Sequence, residues 1–145
     1  MLYYLWTTYK AVDDSTIAAE ISAGNYNLVT TNVTDMKYIF YSRGNFNSDI
    51  SFWDTSNVTS MFGMFWDAST FNQDIGGWDT SSVTDMRSMF YRADAFNHDI
   101  SGWCVQSNFA SEPGSFKTSA NSVWINDAAK QPDWDGADGS GANCS

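Results

Sequence analysis

Basic residues are scarce in this chain: seven Lys and Arg stand against 17 Asp and Glu, for a formal charge of −10 and a pI near 4.1. Such a surface repels the phosphate backbone that a nucleic-acid binder must neutralise, which excludes nucleic acid as a partner. Apolar runs are short as well. None approaches the roughly 18 residues of a membrane span, so no membrane insertion is expected. The opening MLYYLWTTYK also lacks the basic start, apolar stretch and cleavage site of a secretory signal. Met1 then reads as an added start on a mature segment, or as the start of an intact chain that leaves the cell by another route, including in a virus particle.

Histidine occurs once, at His98, and cysteine twice, at Cys104 and Cys144, with no CxxC pair. The ligand set of a zinc site is therefore missing. A catalytic triad needs a positioned base with its own orienting acid, and His98 occupies a place that Ser48 and Gln73 fill elsewhere in the sequence, which marks a surface position. GSGANC follows no strand and opens no helix, so it is no phosphate loop. These absences argue against an enzyme. The two cysteines read better as a disulfide, which by closing a loop of about 40 residues would be worth roughly 4 kcal/mol. It would place the protein in an oxidising compartment, outside the cell or on its surface.

Leucine is rare too, with three in 145 residues, whereas 17% of the chain is aromatic and six residues are Met. The length fits one domain with one core. What fills that core is visible in a repeat. FNSDISFWDTSNVTSMFGMFWDAST, from Phe46, and FNQDIGGWDTSSVTDMRSMFYRADA, from Phe71, agree at 14 of 25 positions without a gap. A third copy opens at Phe96 and departs after Trp103, and a half-copy is in register from Thr30. A period of 25 residues is the signature of stacked repeats.

Within one copy Val83, Met86, Met89, Phe90 and Ala93 have the spacing of one helical face, and Thr84 with Asp85 suits a helix start. A short helix is expected there, after a brief strand around Ile75 to Trp78. Neither could bury its apolar side alone, so successive copies must share a core. Each apolar position then becomes a row: Phe46, Phe71 and Phe96; Ile50, Ile75 and Ile100; Trp53, Trp78 and Trp103; Val33, Val58 and Val83; Met36, Met61 and Met86; Phe40, Phe65 and Phe90.

The pattern DISxWDTSxVTxMxxMFxxAxxFNxDI, over roughly Thr30 to Trp103, resembles the repeats of BspA-like bacterial surface proteins, a group allied to leucine-rich repeats. WCVQSNFASEPGSF, through to the last Cys, is similar to that family's C-terminal cap. The resemblance implies an α/β solenoid on a cell surface, with adhesion as the usual suggestion and no catalytic residues. The fold class expected is thus a right-handed α/β solenoid of short parallel strands and short helices, capped at both ends. Residues 1–29 form an N-terminal helical cap around DDSTIAAEISAGN, 30–103 the repeats, and 104–145 a C-terminal cap and Asp/Gly-rich tail.

Candidate sites follow from the rows. Asp49, Asp74 and Asp99 would stand near 5 Å apart, with Asp54 and Asp79 in a second row, and like charges at that distance need hydrogen bonds or a cation. Turn amides are the preferred partners and calcium the alternative. No other cofactor is implied. Asp133, Asp135 and Asp138 have the oxygen density of a calcium loop but lack its distal Glu. Asn47, Asn72 and Asn97 suit an amide ladder within the structure.

Tyr41, Trp66 and Tyr91 each follow a core Phe and should face solvent as a flat aromatic platform, fit for a sugar ring or a protein partner. The functional expectation is a surface recognition or adhesion module for a glycan or a cell-surface protein. The rival is a structural subunit that self-assembles through its ends, as in a surface filament or virus tail. A third reading takes Thr30, Thr55 and Thr80 as a regular face for ice or mineral.

Overall fold

The computed structural model describes residues 7–105 and 108–135. Regular elements are confined to the two ends. Strand β1 (Lys10–Asp13) leads into helix α1 (Ile17–Ser22) and strand β2 (Leu28–Asn32), and β1 pairs with β2 in parallel. Ile17 and Ile21 bury one side of α1, which stops at Gly24 with φ +77, a conformation glycine adopts without strain. After the repeats come the single turn α2 (Ser122–Ile125) and a 3-10 turn over Ala128–Lys130.

Neither regular element expected within a copy is present among the described residues. The stretch around Ile75 to Trp78 is a turn, closed by the Trp78 amide on the Ile75 carbonyl at 3.1 Å. Val83 to Ala93 is a chain of turns, although its apolar residues are buried as a helix would have buried them. The reason lies in where the amides point. Met36, Tyr38, Phe40 and Ser42 donate to the carbonyls of Ser60, Phe62, Met64 and Trp66 in the next copy, at 2.8–3.1 Å. The alternate residues Ile39, Tyr41 and Arg43 donate three residues back along their own copy. An α-helix spends every amide on its own carbonyls, so it could not make these cross-copy bonds.

This backbone needs left-handed residues at fixed places. Tyr38, Gly63 and Ser88 hold one, Ser42, Asp67 and Arg92 the other, all with φ between 55 and 57. Each non-glycine residue there costs roughly 1–2 kcal/mol, offset by the hydrogen bonds the conformation permits. The scheme extends past the point where sequence similarity fades. Ser88, Phe90 and Arg92 donate to Gly114, Phe116 and Thr118, two residues further on than the Gly63 to Arg87 bond predicts. A two-residue insertion thus hides a fourth copy, whose left-handed residues are Ser115 and Ser119.

Every residue of the six apolar rows is buried. The Phe rings stack face to face between copies, 5.6 Å for Phe40 on Phe65 and 5.5 Å for Phe46 on Phe71, with planes within 6° of parallel. At the C-terminal end Trp124 stands edge-on against Phe90 and Phe96, at 64° and 89°, and ends the stack. The indole N–H groups of Trp53, Trp78 and Trp103 donate to the Tyr26, Ile50 and Ile75 carbonyls, so each ring binds the copy before it. At the N-terminal end Asp14 replaces a missing copy. Thr84 donates to the Thr59 carbonyl and Thr59 to that of Thr34, whereas the Thr34 amide, having no earlier carbonyl, donates to the Asp14 carboxylate at 2.7 Å.

Thr30, Thr55 and Thr80 correct the ice or mineral reading. They are buried, and their hydroxyls donate to the Asp54, Asp79 and Cys104 carbonyls one copy ahead. A buried hydroxyl with a partner is a structural tie, and these three threonines present no face to the surface.

Candidate functional site

Because alternate residues of each turn chain face opposite ways, the residue after each core Phe emerges on one outer face. Tyr41 is 49% exposed there, and Trp66 and Tyr91 are half-buried. Tyr41 and Trp66 lie 5.7 Å apart and Trp66 and Tyr91 4.9 Å. Their planes cross at 75° and 49°, so the row is a tilted cluster, and the flat platform expected from the sequence does not form.

Two further rings join this face without having been singled out in the sequence. Tyr38, 41% exposed, packs 5.5 Å from Tyr41 and 4.9 Å from Phe62. Its ring lies over Gly63, where a Cβ would come within 2.5 Å of Tyr38 Cε1. The signal for this pairing was the glycine itself, at a place where the other copies carry Tyr38 and Ser88. Arg87 completes the cluster, its guanidinium 5.1 Å above the Phe62 ring, a cation–π distance, and tied to Asp85 at 2.7 and 3.0 Å. The flanking charges are paired as well, Lys37 with Asp35 at 3.0 Å and Arg92 with Asp67 at 3.2 Å. An aromatic patch with locally neutralised charge thus stands on a strongly acidic protein.

The acidic rows serve the turns. Asp49, Asp74 and Asp99 each accept from the amide two residues on, at 2.9–3.0 Å, and Asp54 and Asp79 accept from the amide and hydroxyl of Ser56 and Ser81. Among the described residues no group of three acids, histidines or cysteines could hold a metal ion. Asp133 and Asp135 are engaged within the protein, and Asp138 lies outside the described residues. The asparagines form the ladder expected of them. The amide of Asn72 donates to the Asn47 side chain, that of Asn97 to Asn72, and the Lys130 ammonium closes the row on Asn97. Cys104 is buried at the end of the repeats and is no free thiol; its expected partner Cys144 lies outside the described residues.

These hydrogen bonds set the response to acid. The serine side chains two residues on, and then their amides, hold Asp49, Asp54 and Asp99 below the usual carboxylate range, as the Thr34 side chain does for Asp14 and Arg87 for Asp85. A carboxylate depressed in the folded state adds stability above its unfolded pKa, about 3.9, which is lost as pH falls through the folded value. Thermal melting followed by circular dichroism is expected to be flat from pH 7 to 5 and to fall steeply below about pH 4. A melting temperature unchanged at pH 2.5 would refute the claim that these carboxylate hydrogen bonds stabilise the fold.

A family model described as "Mycoplasma protein of unknown function, DUF285" matches residues 8–124. No curated protein and no solved structure matches the chain.

Proposed function

The chain belongs to the DUF285 family of Mycoplasma proteins of unknown function, and from that premise we propose that it is a non-enzymatic recognition module working outside the cell or on its surface. The match is compatible with the BspA-like surface repeats, and the cross-copy hydrogen bonds and stacked rings support reading the chain as a capped solenoid. The observation that carries the reading is the exposed cluster of Tyr38, Tyr41, Phe62, Trp66 and Tyr91 with Arg87 at its edge. Tyr, Trp and Arg are the residues that dominate binding energy at protein interfaces, because they offer large rigid area with a polar end. Between the two ligand classes the ring tilt favours a protein. A sugar needs an open ring face to stack on, whereas edge-to-face packing covers one ring with the rim of the next.

The test is the triple variant Tyr41→Ala, Trp66→Ala, Tyr91→Ala against wild type on arrays of extracellular proteins and of glycans. Wild type is expected to bind a protein target, and the variant to bind it at least about 30-fold more weakly, the hot-spot threshold of 2 kcal/mol. Its melting temperature should stay within a few degrees of wild type. Undiminished binding would remove the patch from the site, and binding confined to the glycan array would change the ligand class.

A further inference from the structure

The hydrogen bonds along the outer row of turns run one way. At each of the three junctions the alternate residues of the turn chain, past the threonine that donates backward from Thr59 to Thr34 and from Thr84 to Thr59, donate from the earlier copy to the later. This part of every copy thus has a donor edge facing the C-terminal end and an acceptor edge facing the N-terminal end. In the last copy the amides of Ser115, Lys117 and Ser119 hold the places of Ser88, Phe90 and Arg92, and among the described residues they donate to nothing. In the first copy the carbonyls of Lys37, Ile39 and Tyr41 hold the places of Phe62, Met64 and Trp66, and among the described residues they accept nothing. An open row of backbone groups is a template for pairing with another chain.

The two edges match in more than polarity. Both step two residues at a time, and both carry left-handed residues at φ +57, Tyr38 and Ser42 at one end, Ser115 and Ser119 at the other. The described ends of the chain pack on the core side of these turns, Tyr26 on Phe40 and Trp134 on Phe116, and leave the backbone groups of the two edges without a partner among the described residues. Asp14 takes the amides of Thr34 and Asp35, while the C-terminal segment is bound to Asn97, His98 and Ile100. Charge does not oppose the contact locally, since Lys117 is paired with Glu112 at 2.9 Å and Lys37 with Asp35.

We infer that the protein associates head to tail with a second copy of itself, the Ser115, Lys117 and Ser119 amides of one molecule donating to the Lys37, Ile39 and Tyr41 carbonyls of the next. The junction is the one the chain already makes three times internally, at 2.8–3.1 Å. It is heterologous, so each added molecule presents a fresh donor edge and growth does not close at a dimer. With −10 on each molecule, long-range repulsion weakens the contact at low ionic strength, and salt strengthens it by screening. The assembly would present the aromatic patch in many copies, but it does not depend on that patch binding anything.

Light scattering of the wild-type chain from about 10 µM to 1 mM, at 0.05 and 0.5 M salt, is the first measurement. The expected result is a mass that rises above 16.2 kDa with concentration, rises more at high salt, and shows no plateau at the dimer. A constant monomer mass, or a plateau at the dimer, overturns the inference. Amide exchange read by NMR locates the contact: the Ser115, Lys117 and Ser119 amides should exchange at least about tenfold more slowly at 1 mM than at 10 µM. Unchanged rates at these three overturn it. With a thiol crosslinker the double variant Ser42→Cys, Ser119→Cys should give trimers and larger species, and each single variant no more than dimers. Equal ladders from the single variants would assign the association to another surface.

Discussion

Phe65→Ala is expected to cost about 3–5 kcal/mol of unfolding free energy, the usual range for emptying a buried aromatic site. Phe65 is fully buried and lies within 4.1 Å of Phe71, 5.6 Å of Phe40 and Phe90, and 6.2 Å of Trp78, all near parallel. The copies cannot close over the gap, because the spacing between them is fixed by backbone hydrogen bonds on both sides, Phe40 to Met64 and Phe65 to Met89. The cavity term therefore adds in full to the lost transfer energy. For a chain of this size the melting temperature should drop by roughly 10 °C or more. Denaturant unfolding measures the change, with Phe62→Ala, on the half-buried outer face, expected to lose far less. A loss below about 1 kcal/mol at Phe65 would mean that the stack relaxes and that the rungs do not hold the copies apart.

Gly76→Ser is expected to destabilise by about 1–3 kcal/mol, the range for overpacking a tight site. Its interest is that serine is the residue both neighbouring copies use, at Ser51 and Ser101, so repeat averaging would recommend it. At Gly76 the copies approach more closely, and a Cβ would lie 2.4 Å from the Asp99 backbone carbonyl oxygen, which no rotamer change can move. The neighbouring Gly77 provides the control. Nothing lies within 4 Å of a Cβ there, and Phe52 stands in the same place one copy earlier. Gly77→Phe should therefore change stability by no more than about 0.5 kcal/mol, as surface substitutions do. If Gly76→Ser proved neutral, the copies would have to be able to shift apart, against the cross-copy bonds that bracket this position.

The limits of averaging also explain what could be read ahead of the structure. Trp53, Trp78 and Trp103 occupy one environment three times, so their burial follows from the period alone, as does that of the five other apolar rows. Tyr41, Trp66 and Tyr91 were legible as an outward row for the same reason. Tyr38 and Phe62 were not, because each is unique to its copy: the first lies over Gly63, and Arg87 sits above the second. The Thr30, Thr55 and Thr80 row entered only as a rival reading, a regular face for ice or mineral, and the structure buries it because the carbonyls that its hydroxyls need belong to the following copy.

By itself, then, the sequence determined the register of the copies, the six apolar rows and the asparagine ladder, since side chains at equal positions of stacked copies must meet one another. The tertiary structure decided the backbone. An apolar spacing of three and four suits a helix and a chain of turns equally, and the choice turns on where alternate amides find carbonyls. Those carbonyls lie about 24 residues away in the next copy, beyond any local pattern. The two-residue insertion before Gly114 belongs with the backbone for the same reason: only the resumed cross-copy hydrogen bonds show that a fourth copy is there.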